Sequence, residues 1–570
     1  MFFAKMNLPA QKRVTLNSFG GYDARVRCEK GAFAAMKNLC SEKYPALSVR
    51  PRRGVVSTVT RPHGMIGKDC LIWVDGTTLY INGMATDLVL TDTDKQLVSM
   101  GAYLVIFPDK KYINTQDLSD YGSLENTVTT MGEVTFSLCD RDGIAMGSYT
   151  VSDTAPESAG SGTLWWDSGE NTLKRSNDGI WESIADVCVK VSAAGIGTGF
   201  QPGDGVVLSG CTAAHVDGLQ LLTAVETNSV VLSTLPDSVG TQSTAVTISR
   251  YVPEMDYVVE CGNRLWGCKY GLVNGEAINE IYASALGDFR NWNTFAGLST
   301  DSYAAQRGSD GIFTGAVAYL GNPIFFKEDC MERVYISNSG AHQVVTVKCD
   351  GVKKGSSNSL QIVDGTLYYH SPGGVCAFTG SLPICVSQEL GEQRYHGAIA
   401  GGAEGKYYLS ALGNGEETVL FCYDTRRKLW YREDALRCRS FAMCDGELFA
   451  LTEDAILSMQ GKSGTLEAPV DWIAESGDWG LDTPENTYLQ RVEIRLKPEQ
   501  NAAVELRVSY DGGQTWQMQG SLSGQAGRIY PSVLYIRPAR CAMLRMRLSG
   551  RGDCTIYSIS AVYEKGSDVV

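Results

Sequence analysis

Short apolar runs, many of them aromatic, recur along this chain and are separated by turns that contain glycine. One phrase repeats, in which an apolar residue precedes an Asp-Gly or Gly-Asn turn and a second apolar strand follows. It occurs as Val74-Asp75-Gly76 before Leu79-Tyr80-Ile81, as Val363-Asp364-Gly365 before Leu367-Tyr368-Tyr369, and as Cys444-Asp445-Gly446 before Leu448-Phe449-Ala450. Looser copies are Cys261-Gly262-Asn263 before Leu265-Trp266 and Leu320-Gly321-Asn322 before Ile324-Phe325-Phe326. Asp-Gly and Gly-Asn supply the positive φ angles of a two-residue hairpin whose twist matches its strands, so each copy predicts an antiparallel hairpin. Residues 55–124 and 251–470 carry these copies. At about 40 to 50 residues per blade they make six or seven blades of a β-propeller. Candidate blades run Asp69 to Asn114, Tyr257 to Phe295, Gly311 to Ser337, Val344 to Thr379, Gly397 to Glu433 and Arg437 to Gly461.

The pattern changes in three places. Residues 125–250 are rich in Gly, Ser and Thr and read as an inserted small β-domain, with strands around Val206-Val207-Leu208, Leu219 to Leu222 and Val230-Val231-Leu232. In residues 471–570, Val492-Glu493-Ile494-Arg495-Leu496 and Val504-Glu505-Leu506-Arg507-Val508 alternate strictly. That is the period of half-buried antiparallel strands, and the segment predicts a C-terminal β-sandwich. Residues 1–54 read as an N-terminal arm. Phe33, Met36 and Cys40 share one face of a short helix from Gly31 to Cys40, which Tyr44-Pro45-Ala46-Leu47 ends. The predicted fold class is therefore all-β.

Composition narrows the function. The 62 glycines in 570 residues exceed the usual share of roughly 7 %, which suits many tight turns. Fifty basic against 64 acidic residues leave a net charge of −14, which opposes a nucleic-acid coat because phosphate neutralisation needs a basic face. The 17 cysteines include no Cys-x-x-Cys pair, so they predict neither a zinc site nor a disulfide framework. Buried free thiols and synthesis in a reducing cytoplasm fit them. No apolar run reaches the length of about 18 residues needed for a membrane-spanning helix.

Candidate chemistry is sparse. Arg50, Arg52 and Arg53 form the one dense basic cluster, a candidate contact for phosphate or an acidic partner; a solvated loop is the alternative. Trp165 and Trp166 are candidates for stacking on sugar rings, with core packing as the alternative. Ser509, Asp511, Gly513 and Trp516 fit an Asp-box, in which the Asp and glycines fix a turn and the Trp tucks beneath it. Asp92 and Asp94 lack the Gly and distal Glu of a calcium loop, and Arg551-Gly552-Asp553 reads as coincidence. The five histidines suggest no catalytic arrangement. No cofactor, no metal and no enzymatic activity are expected.

Three stretches resemble structural proteins of tailed bacteriophages and prophages, above all the β-propeller tail nozzle and head-completion proteins of short-tailed phages. The first is Phe19-Gly20-Gly21-Tyr22-Asp23 with Gly31 to Leu39 and Tyr44 to Arg50. The second runs from Ala285-Leu286-Gly287-Asp288-Phe289-Arg290-Asn291-Trp292-Asn293 through Asp301-Ser302-Tyr303 to Phe325-Phe326-Lys327-Glu328. The third is Tyr423-Asp424-Thr425-Arg426-Arg427-Lys428-Leu429-Trp430-Tyr431. The resemblance covers the arm and the blades; the insertion and the sandwich lie outside it. It implies a virion tail or head-tail junction component made in the host cytoplasm, six copies in a ring, with portal, adaptor or other tail proteins as partners. DNA would pass through such a ring without specific binding. A tail-tip protein holding host glycans is the alternative, and a propeller glycosidase a third reading.

Overall fold

The structure, a computed structural model, describes residues 11–157, 159–295, 297–339, 341–480, 486–499, 502–522 and 527–565. The fold is an all-β propeller with additional β-bodies. Among the described residues there is no α-helix, and the only helical turns are the 3-10 turns Ser357–Ser359 and Gln388–Leu390. Among the described residues, seven sheets have the up-and-down order of propeller blades, six of four strands and one of five. Their packing places the chain in two units, one of residues 1–94, 326–331 and 348–570, the other of residues 95–325 and 332–347.

The first unit holds four blades. Blade 1 is Pro62–Gly67, Leu71–Asp75, Thr78–Ile81 and Met84–Val89; blade 5 is Gln361–Val363, Thr366–Ser371, Gly374–Phe378 and Ile384–Cys385. Blade 6 is Tyr395–Ala403, Lys406–Gly413, Thr418–Asp424 and Leu429–Arg432. Blade 7 takes Ser440–Cys444, Glu447–Leu451 and Ala455–Ser458 from late in the chain and completes itself with Gly54–Thr58 from the arm. The first strands of blades 5, 6, 7 and 1 pack side by side in that order. The hairpins follow the turn chemistry: Asp364 and Gly365 sit at φ 46° and 78°, Asp445 and Gly446 at 48° and 70°.

The arm folds into a sandwich with the last hundred residues. One sheet orders Leu39–Cys40, Leu47–Val49, Cys554–Lys565, Thr487–Pro498 and Tyr530–Tyr535, with Gln11–Leu16 also on Cys554–Lys565. The other orders Phe33–Lys37, Asp471–Ser476, Arg545–Arg551, Ala503–Ser509 and Gln517–Leu522. The helix predicted from Gly31 to Cys40 is corrected to two short strands. Phe33 and Met36 still point into the core, but across a bulge in a strand paired with Asp471–Ser476, where sheet hydrogen bonds replace helical ones.

In the second unit, blade 2 is Gln96–Met100, Tyr103–Phe107, Lys111–Asn114 and Tyr121–Ser123, and blade 3 is Tyr257–Glu260, Leu265–Val273, Glu276–Ala283 and Tyr303–Gln306. Blade 4 is Gly315–Tyr319, Asn322–Phe326, Cys330–Tyr335 and Gln343–Lys348. First strands of blades 2, 3 and 4 again pack consecutively. In blade 4 the turn is Leu320-Gly321, at φ 50° and 71°, one residue earlier than the Gly-Asn phrase implies.

Between blades 2 and 3 the chain makes a separate body from Asn126 to Arg250. Its main sheet has eight strands around a core of Val134, Phe136, Val191, Leu208, Leu222 and Ile248 among others. A second sheet of Tyr149–Ser152, Leu164–Asp167, Thr172–Asn177 and Ile180–Ser183 packs through Leu164, Trp166 and Leu173.

Candidate functional site

The most heavily built region of the first unit is the junction of arm and blade 6. Gly21 stands at φ 77°, and a Cβ there would lie 2.4 Å from the Trp430 carbonyl oxygen, so only glycine lets the arm approach. That approach allows the Tyr22 amide to donate to the same oxygen at 2.6 Å. Asp23 is buried and accepts hydrogen bonds from the Arg25 guanidinium at 2.8 Å and the Glu29 amide at 3.0 Å. Burial alone raises its carboxyl, but these donors outweigh burial and hold it below the ordinary value. Farther along, Ser41 Oγ donates to Asp424 Oδ2 at 2.5 Å, and Arg427 lies over the Tyr44 ring.

The basic cluster splits. Arg50 and Arg53 are buried, 3 % and 4 % exposed, and face carboxylates of their own chain. Arg53 meets Glu433 at 2.8 Å and Asp434 at 2.7 Å; Arg50 meets Glu467 at 2.6 Å and Asp434 at 3.3 Å. Arg52 donates to the Glu467 carbonyl at 3.4 Å. These guanidiniums fasten the entry to blade 7, and an incoming phosphate would first have to displace buried carboxylates. Sequence alone hid this because the acidic partners lie some 380 positions away.

The tandem tryptophans are core residues. Trp166 is 1 % and Trp165 5 % exposed. The Trp165 indole N–H donates to Ser152, its ring meets Trp181 edge-on, and the Lys174 ammonium covers it at 5.0 Å. No open face is left for a sugar ring.

The Asp-box forms as a turn. Asp511 accepts from Ser509 Oγ at 2.6 Å and from the Thr515 amide at 2.9 Å, and Gly513 N–H donates to Ser509 Oγ. Hydrogen bonds from Ser509 and Thr515 hold the Asp511 carboxyl well below the usual range. Trp516 donates to the Gly513 carbonyl and carries the Arg547 guanidinium 3.9 Å above its ring. Asp92 is engaged by Arg61 and by His63 Nε2, and Asp94 by His63 Nδ1. Among the described residues, no group of three or more His, Cys, Asp or Glu side chains is arranged to hold a metal ion. No helix among them is long and apolar enough to cross a membrane.

Two openings lie elsewhere among the described residues. One, of about 250 Å³, is lined by Tyr103, Tyr112, Asp120, Asp288, Phe289 and Arg290. Its groups are committed to each other: Tyr103 donates to Asp120 at 2.8 Å, and the Phe289 ring packs on both tyrosines. The other, of about 620 Å³, lies in the Asn126–Arg250 body.

No family model matches the sequence, and no curated protein matches it. Solved structures give distant likenesses. A phage phi92 endosialidase is 10 % identical with TM-score 0.25, over 86 % of this chain and 79 % of its own. A sialidase of Trypanosoma rangeli is 8 % identical with TM-score 0.24, over 98 % and 97 %. An exo-β-1,3-galactanase of Phanerochaete chrysosporium is 8 % identical with TM-score 0.21, over 53 % and 94 %. These similar structures are enzymes by name, and against them the expectation of a chain without enzymatic activity is corrected: it is not carried forward. At such scores the likeness assigns no activity to this chain either.

Proposed function

We propose that the chain is a structural component of a bacteriophage tail or head-tail junction, one copy of an oligomeric ring around the DNA passage. The observation that carries this reading is that two of the stretches with the phage resemblance, far apart in sequence, are neighbours in the fold. Tyr22 of the first bonds to Trp430 of the third, and Arg427 of the third lies over the Tyr44 ring of the first. A shared motif pair that meets in space is one structural unit. The charge of −14 agrees with such a role, because an acidic passage repels phosphate and lets DNA slide without sticking. Portal, adaptor and other tail proteins are the partners this reading names, and six copies the stoichiometry. Mass spectrometry and cryo-electron imaging of particles purified from a host that carries the gene test it. The expected result is the chain in the virion as a ring on the tail axis; its absence from particles overturns the reading.

A further inference from the structure

The Asn126–Arg250 body carries a polar cleft of about 620 Å³. Connections from different parts of that body converge on it: Arg141 follows strand Val134–Cys139, Asn171 turns between Leu164–Asp167 and Thr172–Asn177, and Asp186 precedes Cys188–Ser192. His215 comes from the loop after Gly205–Ser209, and Thr234 from the end of Ser229–Leu232. Loops gathered at one place on a rigid sheet are the usual setting of a binding site.

Two observations separate this cleft from an ordinary surface hollow. The first is that part of its polar lining is unspent, although Glu170 is paired with Lys174 and the Thr234 hydroxyl donates to the His215 carbonyl. Among the described residues, the side chains of Arg141, Asp186 and His215 hold no hydrogen bond or ion pair, and Asn171 Oδ1 is buried without a hydrogen-bond partner. The second is backbone geometry. Asp186 and His215 stand in the left-handed region at φ 59° and 68°, where non-glycine residues are uncommon, while Asn171 at 50° ends a hairpin turn.

The lining selects the ligand. An unpaired guanidinium offers a planar fork to a carboxylate, while a carboxylate, an amide and hydroxyls exchange hydrogen bonds with vicinal hydroxyl groups. The Asp186 carboxylate opposes a doubly charged phosphate more than a singly charged carboxylate, and the polar walls oppose an apolar ligand. The volume falls in the range of about 300 to 1,000 Å³ typical of small-molecule sites, enough for one or two sugar rings. We infer that this cleft binds an acidic saccharide, with the sugar carboxylate on Arg141 and its hydroxyls on Asp186 and Asn171.

This inference concerns the inserted body alone and stands apart from the virion reading. The full chain is applied to an array of sialylated, uronate-containing and neutral glycans, and hits are followed by calorimetry with 3′-sialyllactose and digalacturonate against lactose. Acidic glycans are expected to bind at least about tenfold more tightly than neutral counterparts, and Arg141→Ala to remove about that factor. Asp186→Asn lowers affinity for the same ligands. Both positions are exposed, and an unchanged melting temperature shows that each variant folds. Failure of every acidic glycan to bind, equal binding of neutral glycans, full competition by inorganic phosphate, or indifference to Arg141→Ala overturns the inference. None of these outcomes touches the presence of the chain in particles.

Discussion

The Arg53 guanidinium lies 2.8 Å from Glu433 Oε2, and both side chains are about 95 % shielded from solvent, at 4 % and 5 % exposure. Removing one member of a buried pair leaves an uncompensated charge, which costs about 3 to 5 kcal/mol. Glu433→Gln is therefore expected to lower stability by about 3 kcal/mol in urea unfolding. Replacing both, as Arg53→Met with Glu433→Leu, recovers part of that loss. A Glu433→Gln variant as stable as the parent would show that the pair does not hold the arm.

The carboxylates of this network set the acid limit. Burial would raise Asp434, but the Arg53 and Arg50 guanidiniums outweigh it and hold it below the ordinary value; Glu467 is lowered against burial by Arg50 and the Arg53 amide. A carboxyl with a lowered folded pKa contributes stability that is complete above its unfolded value and is lost as pH falls through the folded one. The share of this network in the stability should hold above about pH 5 and be lost below about pH 4. Arg53→Ala should shrink that loss, as read by calorimetry across pH.

His370 acts in a different window. Burial, then the neighbouring Lys353 and His396 charges, lower its pKa from 6.5 to about 4. Between those values the unfolded chain binds a proton that the folded one refuses, so stability falls as pH goes from 6.5 to about 4 and levels off below. His370→Gln, which keeps a polar atom near Ser356 Oγ, should flatten the slope in that interval and leave the drop below about pH 4 in place.

Gly21→Ala tests the arm approach. The substitution meets the left-handed penalty of about 1 to 2 kcal/mol and in addition drives a Cβ against the Trp430 carbonyl. A loss of more than about 2 kcal/mol is expected, with faster proteolysis within residues 11–50. Gly446→Ala, at φ 70° but with open space around it, should cost less.

All 17 cysteines are free, and Cys385 is the exposed one. Burial pushes Cys438 and Cys554 up to about 12, so their thiolates are scarce at neutral pH. A thiol reagent at pH 8 should label Cys385 in a fast phase, and Cys385→Ser should abolish it. All 17 should react in denaturant.

Local chemistry was legible and distant pairing was not. Asp364-Gly365 and Asp445-Gly446 announce their hairpins because a type I′ turn needs two positive φ angles that few residue pairs supply. The alternation at Val492 to Leu496 announces a two-faced strand for the same kind of local reason. The partners of Phe33–Lys37 and Gly54–Thr58, by contrast, lie hundreds of residues away, and nothing within either segment encodes them. The spacing of Phe33, Met36 and Cys40 fits a helix until the edge of a sheet offers better bonds. The polar cleft escaped notice because Arg141, Asn171, Asp186 and His215 share no spacing; only the fold gathers them.

Gly54–Thr58 completes blade 7, and Gln11–Leu16 rests on Cys554–Lys565. During translation Gly54–Thr58 waits for Ala455–Ser458 and Gln11–Leu16 for Cys554–Lys565, intervals on the order of tens of seconds at about 5 to 20 residues per second. A product released before residue 554 would leave Gln11–Leu16 and Thr487–Pro498 without the strand they share. The first described strand is thus bound to one of the last to be made, so the sandwich sheet closes late in synthesis.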